Sequence, residues 1–252
     1  MKKFVFGLMF LFVLDAHSDD QGGVGKQLEP FGFVYGFGFG VNKEIYRGYD
    51  RRVIPLPVIG YRSERLNIYG PFASYDVATL GDFDFFLQVA PRFQGFDESD
   101  SNAFTGMEKR KFSMDAGVGA KYRQGNWNTK ISYLRDILDR SDGNEVSITL
   151  GRAFQKGPLF YQPSISVSHL SKNHVNYYYG VGTDESNASR PSYKAGSAFN
   201  TSLGFSISTP LFFEGFTQLA INYTSFDDAI TNSPIVDDKS NVGLRILFSK
   251  YF

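Results

Sequence analysis

The sequence contains no cysteine. That excludes a disulfide framework, thiolate metal sites and a lipid-modified cysteine anchor. It also lacks any run of 18 apolar residues, so no helix in it is built to span a bilayer. There is no excess of charge of either sign, 26 basic residues standing against 26 acidic ones. Without a basic patch or stripe the chain carries no footprint for nucleic acid.

What is present is aromatic and glycine. The 252 residues include 26 Phe, 15 Tyr and 26 Gly. Such a chain can still cross a membrane as a closed barrel, where about 10 alternating residues per strand suffice. The first residues, MKKFVFGLMFLFVLDAHS, join a basic start (Lys2, Lys3) to an apolar run from Phe4 to Leu14. Ala16 and Ser18 then stand at the −3 and −1 positions of a cleavage site, and the apolar run is too short to span. We read a signal peptide over residues 1–18, cleavage after Ser18, and one barrel domain over residues 19–252.

Side chains of a strand alternate between two faces. Phe31, Phe33, Tyr35, Phe37 and Phe39 fall on one face of the first run, with Gly32, Gly36, Gly38 and Gly40 on the other. Phe83, Phe85, Leu87 and Val89 alternate with Asp82, Asp84 and Gln88. The same alternation recurs at Phe112–Arg123, Asn126–Ile137, Glu145–Leu150, Phe199–Ser208 and Gln218–Thr224. Large apolar side chains outside and small or polar ones inside suit a barrel wall around a crowded lumen.

Short turns are expected at Gln124–Asn126, Gln155–Pro158 and Thr209–Leu211. Longer polar loops are expected at Asp97–Arg110, Lys172–Ala195 and Asp227–Lys239. This alternation of short and long is that of barrels with tight periplasmic turns and long outer loops. Residues 65–80 decide the count. One strand there gives 11, whereas two short strands split at Gly70-Pro71 give 12, the even number required when both termini are periplasmic. The expected fold is therefore an all-β, antiparallel, up-and-down transmembrane barrel of 12 strands. Pro55 and Pro57, two apart on one face, predict an irregular strand or bulge.

The last segment, NVGLRILFSKYF, places Val242, Leu244, Ile246, Phe248 and Phe252 on one face. A final strand of alternate apolar residues with a terminal aromatic resembles the assembly signal of bacterial outer-membrane barrels. Lys250 interrupts the apolar face, where its stem can lie along lipid while the ammonium reaches water. Three longer segments are similar to the MipA/OmpV family of outer-membrane proteins (MltA-interacting protein type). They are Tyr46–Gly70 with its paired prolines, Val175–Ala198 with its triple Tyr before Gly-Val, and Thr231–Phe252 with Ser-Pro-Ile-Val. The resemblance implies an outer-membrane barrel. It also implies three roles: a scaffold for murein enzymes, a porin-like channel, or an adhesin. One family member binds a membrane-bound lytic transglycosylase and a bifunctional penicillin-binding protein.

Few residues suggest chemistry. His169 and Ser171 share a strand face, faintly resembling the pair on the outer wall of lipid A deacylases, but an orienting acid is missing from the motif. Asp227, Asp228, Asp237 and Asp238 offer oxygens to a cation in the last outer loop. Lys109, Arg110, Lys111 and Lys172 are placed to meet lipopolysaccharide phosphates. Inward Asp84, Arg92, Asp115, Lys121, Arg123, Lys130 and Asp136 either cross-link a filled lumen or line a narrow pore. No catalytic, cofactor or metal set is complete. The reading is a non-enzymatic scaffold in the bacterial outer membrane, with a small-solute pore as the alternative and an adhesin or lipid A-modifying barrel third. The partners implied are membrane lipid, lipopolysaccharide, a lytic transglycosylase and a penicillin-binding protein, and no nucleic acid.

Overall fold

The structure, a computed structural model, describes residues 30–252. The signal peptide and its cleavage site lie outside the described residues. The strands are β1 (Gly32–Lys43), β2 (Arg51–Arg62), β3 (Leu66–Tyr69), β4 (Phe72–Leu80), β5 (Phe83–Arg92), β6 (Ser113–Gln124) and β7 (Trp127–Asp136). They continue with β8 (Asn144–Arg152), β9 (Phe154–Lys156), β10 (Leu159–Leu170), β11 (Ala198–Phe212), β12 (Gly215–Ser225) and β13 (Ser240–Tyr251). β8 and β9 are one wall strand interrupted at Ala153, since both pair with β10, so the wall has 12 strands. Each strand pairs antiparallel with its chain neighbours, and β13 returns to pair with β1 from Val34↔Tyr251 to Asn42↔Gly243. That last pairing leaves no free first or last edge.

The face assignment is the one the alternation predicts. Phe37, Leu87, Val118, Ile131, Ile148, Leu203, Leu219 and Leu244 are exposed on the outer surface, while Ser132, Ser166, Ser202, Ser206, Gln218 and Arg245 are buried inside. A hydrocarbon solvent reverses the usual soluble arrangement, and this is the pattern it selects. The inward glycines of β1 serve close packing. A Cβ at Gly38 would stand 2.8 Å from the Leu247 side chain and 3.2 Å from Leu56 Cβ.

The short β3–β4 hairpin turns at Gly70-Pro71, which makes the strand number even as expected. Two expectations need correction. β2 is a regular strand with unbroken register to β1, so Pro55 and Pro57 mark no bulge. The irregularity lies on their other side, where β3 is only 4 residues long. Likewise Thr209–Leu211 is not a turn. β11 continues through a register shift between Thr209 and Phe212, and the chain reverses at Phe213-Glu214. Pro210 ends regular pairing there without ending the strand.

The connections at one end are tight, including the turns at Gly125 and Gly157, both with φ of 58°. All long connections, 44–50, 93–112, 137–143, 171–197 and 226–239, lie at the other end.

Leu203 is 54% exposed on the outer face of β11. Leu203→Arg is therefore expected to cost about 2–4 kcal/mol near the midplane, whereas Leu203→Phe stays close to neutral. Folding free energies in lipid vesicles check this, and an arginine as harmless as the phenylalanine would refute the lipid-facing assignment.

Candidate functional site: a sealed loop end above a polar lumen

The loop end has its own apolar core. Ile45 and Tyr46 from the first loop meet Phe96, Phe104 and Met107 from 93–112. They also meet Val175, Tyr178 and Tyr179 of helix α1 (Lys172–Tyr179), and Ile230, Ile235 and Val236 from the last loop. Leu170 and Ala198, at the ends of β10 and β11, belong to the same cluster and are buried on the inward side, so the core lies over the mouth of the lumen. Tyr46 sits at its centre. Its ring stacks on Tyr179 with centroids 5.4 Å apart and meets Phe96 edge-on at 5.3 Å. Its hydroxyl donates to the Tyr178 carbonyl at 3.2 Å.

Polar groups tie the loops together. The Arg190 guanidinium donates to the carbonyls of Thr105 at 3.1 Å and Glu185 at 2.6 Å. Glu185 accepts from Arg110 at 2.6 Å and from the backbone N–H of Glu108 at 2.9 Å. Burial alone would raise the Glu185 carboxyl, but these bonds and one from Gly182 hold it below its ordinary value. Ser233 Oγ donates to the Tyr179 carbonyl at 2.6 Å. Such bonds matter here because an unmet polar group in the core would cost about 1–3 kcal/mol.

Beneath the cap, Arg92 of β5 bridges two carboxylates, donating to Asp115 Oδ2 at 2.6 Å and Glu145 Oε2 at 2.8 Å. Lys121 lies 3.6 Å from Asp76, and Arg123 pairs with Asp84. Lys121 and Lys130 both stand 4.9 Å over the Phe86 ring. These inward charges are thus paired with one another along the barrel wall.

The residues singled out for chemistry do not assemble. The His169 ring packs on Phe199 at 4.7 Å, while Ser171 Oγ turns away to accept from the Asn144 N–H at 2.9 Å. Asp227 caps helix α2 (Asp228–Thr231) through Ala229 N at 2.8 Å and also accepts from Phe199 N at 3.0 Å. Asp237 pairs with Arg47 at 2.9 Å and Asp238 with Lys43 at 3.0 Å. Among the described residues no group of three or more His, Asp or Glu is placed to hold a metal ion. Lys109 pairs with Asp97 at 2.8 Å, a contact that lowers the Asp97 carboxyl to about 2. Arg110 is enclosed with Glu185, while Lys109, Lys111 and Lys172 are exposed.

Sequence reasoning missed His174. It lies in α1, 1% exposed, with no hydrogen-bond partner for Nε2. Burial, aided by the nearby Arg92 charge, pushes its pKa well below 6.5. The neutral ring is thus the folded form. As pH falls below about 6.5 the unfolded cap takes up a proton that the folded cap refuses, so stability is complete above that pH and is lost below it. The expected loss is about 1.4 kcal/mol per pH unit. Urea titration of a fluorophore on loop 180–197 at stepped pH measures it. His174→Leu should flatten the dependence, and an unchanged slope would contradict the assignment.

Known proteins resemble this chain in sequence across most of its length. The family model described as MltA-interacting protein MipA matches residues 35–252. The chain is 27% identical over 214 residues to outer membrane protein OmpV of Vibrio cholerae, covering 81% of each. It is 29% identical over 221 residues to the MltA-interacting protein of Escherichia coli, covering 84% of this chain and 86% of that one. Among solved structures, a bacterial polysaccharide outer membrane secretin superposes with a TM-score of 0.45 at 11% identity, covering 89% of this chain and 100% of the other. Matched over nearly its whole described length, this chain belongs to the MipA/OmpV family of outer-membrane β-barrel proteins.

Proposed function

We propose that this barrel is a non-enzymatic, closed element of the outer membrane whose turn end engages a periplasmic murein hydrolase or synthase. The sealed loop end carries the reading. A pore needs a continuous water path, and here an apolar core fed by the long loops lies across the mouth. The proposal includes export, with the signal peptide removed after Ser18 and the long loops outside the cell.

The surface for a partner is then at the turn end, and most turns there are too small to offer one. The β11–β12 hairpin differs. β11 runs on to Phe212, past its last pairing with β10 at Ser208. At its tip Phe213 is 83% exposed, beside exposed Leu211 and Phe212. Phe213 and Glu214 have φ of 54° and 55°, a left-handed turn that Asn-Gly would take with less strain. Strain of about 1 kcal/mol or more at each residue, spent on displaying an aromatic ring, supports a contact role. The turn is held by a 2.8 Å pair between Glu214 and Lys250, and that contact lowers the Glu214 carboxyl. A relative is named for its interaction with MltA, which gives the partner class.

Two experiments separate the scaffold from the pore. Purified protein in planar bilayers is expected to show no stable current steps at neutral pH. Phe213→Gly is expected to fold at least as well as the unmodified chain while capture of a lytic transglycosylase or penicillin-binding protein by envelope crosslinking falls severalfold. Steady channel currents, or unchanged capture by the glycine variant, would overturn the proposal.

A further inference from the structure

One corner of the turn end carries an outward arginine seated on aromatic rings. Trp127 opens β7 directly after the Gly125-Asn126 turn, Arg152 closes β8 beside it, and the two are cross-strand partners. The Arg152 guanidinium carbon lies 5.0 Å from the Trp127 ring centroid and 4.9 Å from that of Phe154. All three side chains belong to the outer surface. Arg152 is exposed, and Trp127 and Phe154 are 47% and 40% exposed. Lys156 follows on β9, also exposed, and alternation puts it on the face of Phe154.

Arginine is tolerated on the lipid face of a barrel only near the interfaces, where its head reaches the polar layer. The Lys250 ammonium, at the same end of the barrel, has its own counter-ion in Glu214 at 2.8 Å. Among the described residues no carboxylate pairs with Arg152 or Lys156. Ring contacts steady a guanidinium but bring no oxygen to its five N–H donors. Those donors form the planar fork that matches a phosphate. Held against two rings, the fork has little freedom left to lose when it engages one.

Toward the middle of the wall the same face is apolar. Leu150 and Ile148 continue along β8, and Ile131 stands opposite Ile148 on β7, all of them exposed. The matching ligand is anionic at the turn end and hydrocarbon beyond it. We propose that Arg152, Trp127, Phe154 and Lys156 bind the phosphate headgroup of an anionic phospholipid whose acyl chain lies along Leu150 and Ile148. Two cations without a carboxylate favour a lipid of net negative charge over a zwitterionic one, whose own cation competes for its phosphate. The leaflet that supplies the lipid follows from the proposed orientation with the long loops outside. The binding itself does not depend on that orientation.

Trp127 is the single tryptophan of the chain, so its emission reports this corner alone. The test uses the full barrel in vesicles of phosphatidylcholine with a minor fraction of phosphatidylglycerol. Bromine is carried on the acyl chains of the phosphatidylglycerol, or of an equal amount of the phosphatidylcholine. Brominated phosphatidylglycerol is expected to quench Trp127 severalfold more than the same amount of brominated phosphatidylcholine. Arg152→Gln should make the two equal. Arg152→Lys should keep part of the preference, since the charge stays and the fork is lost. Arg51→Gln, which removes an exposed cation at the loop end, should leave it unchanged. Equal quenching in the unmodified protein, or a preference that survives Arg152→Gln, overturns the proposal. A preference abolished by inorganic phosphate at constant ionic strength assigns the fork to the free anion and overturns the lipid as ligand. None of these results bears on the sealed loop end or on the β11–β12 tip.

Discussion

A bilayer offers no water to an unpaired amide, and that single constraint organises the molecule. Each backbone group at membrane depth has to find its partner on a neighbouring strand, so the sheet must close. Here closure rests on β1 and β13, whose register brings Phe37 opposite Phe248 and Tyr35 opposite Lys250. Phe252 continues the seam, donating its N–H to the Phe33 carbonyl at 3.1 Å and stacking on the Phe33 ring at 6.0 Å. Once the ring is closed, alternation along each strand divides the side chains into a hydrocarbon-facing belt and a polar interior.

The same constraint explains the two places where the wall departs from regularity. Where β3 and β4 stop short, Ile54, Leu56, Phe72 and Phe93 form a buried apolar cluster of their own. Where β11 overruns its neighbour, pairing slips and the chain turns through strained residues beyond the wall. Inside, charge is tolerated because it is paired. Arg92 between Asp115 and Glu145 is a buried triad. Removing its cation would leave two carboxylates uncompensated, a loss of about 3–5 kcal/mol in comparable sites.

Much of this was legible in the residues, for a physical reason. A strand with lipid on one side must show its apolar residues at every second position, so Phe31–Phe39 and Val242–Phe248 declare both their conformation and their faces. Gly70-Pro71 likewise declares a turn, and with it the even strand count. The cap was not legible. Its aromatic residues, Tyr46, Phe96, Phe104, Tyr178 and Tyr179, come from separate loops with no shared period, and only the fold brings them together. His174 escaped notice because nothing local distinguishes a buried histidine from the exposed Asn173 beside it. The prolines of β2 were noticed but misread, because their meaning depends on the length of a different strand. The His169/Ser171 spacing was real, yet shared parity does not make two side chains meet. One packs on a ring and the other caps a backbone amide.

A closed barrel with a folded cap thus reconciles an aromatic-rich, cysteine-free, uncharged-on-balance chain with a place in the outer membrane. Stability comes from the hydrogen-bonded ring below and from an apolar loop core above. The most direct measurement of that claim is amide hydrogen exchange of the protein in lipid vesicles, corrected for intrinsic rates. The amides of Val175, Tyr178 and Ile230 are expected to be protected to an extent comparable with strand amides such as Leu203. Exchange at these cap positions at the rate of an open loop, with the strands still protected, would contradict the sealed barrel.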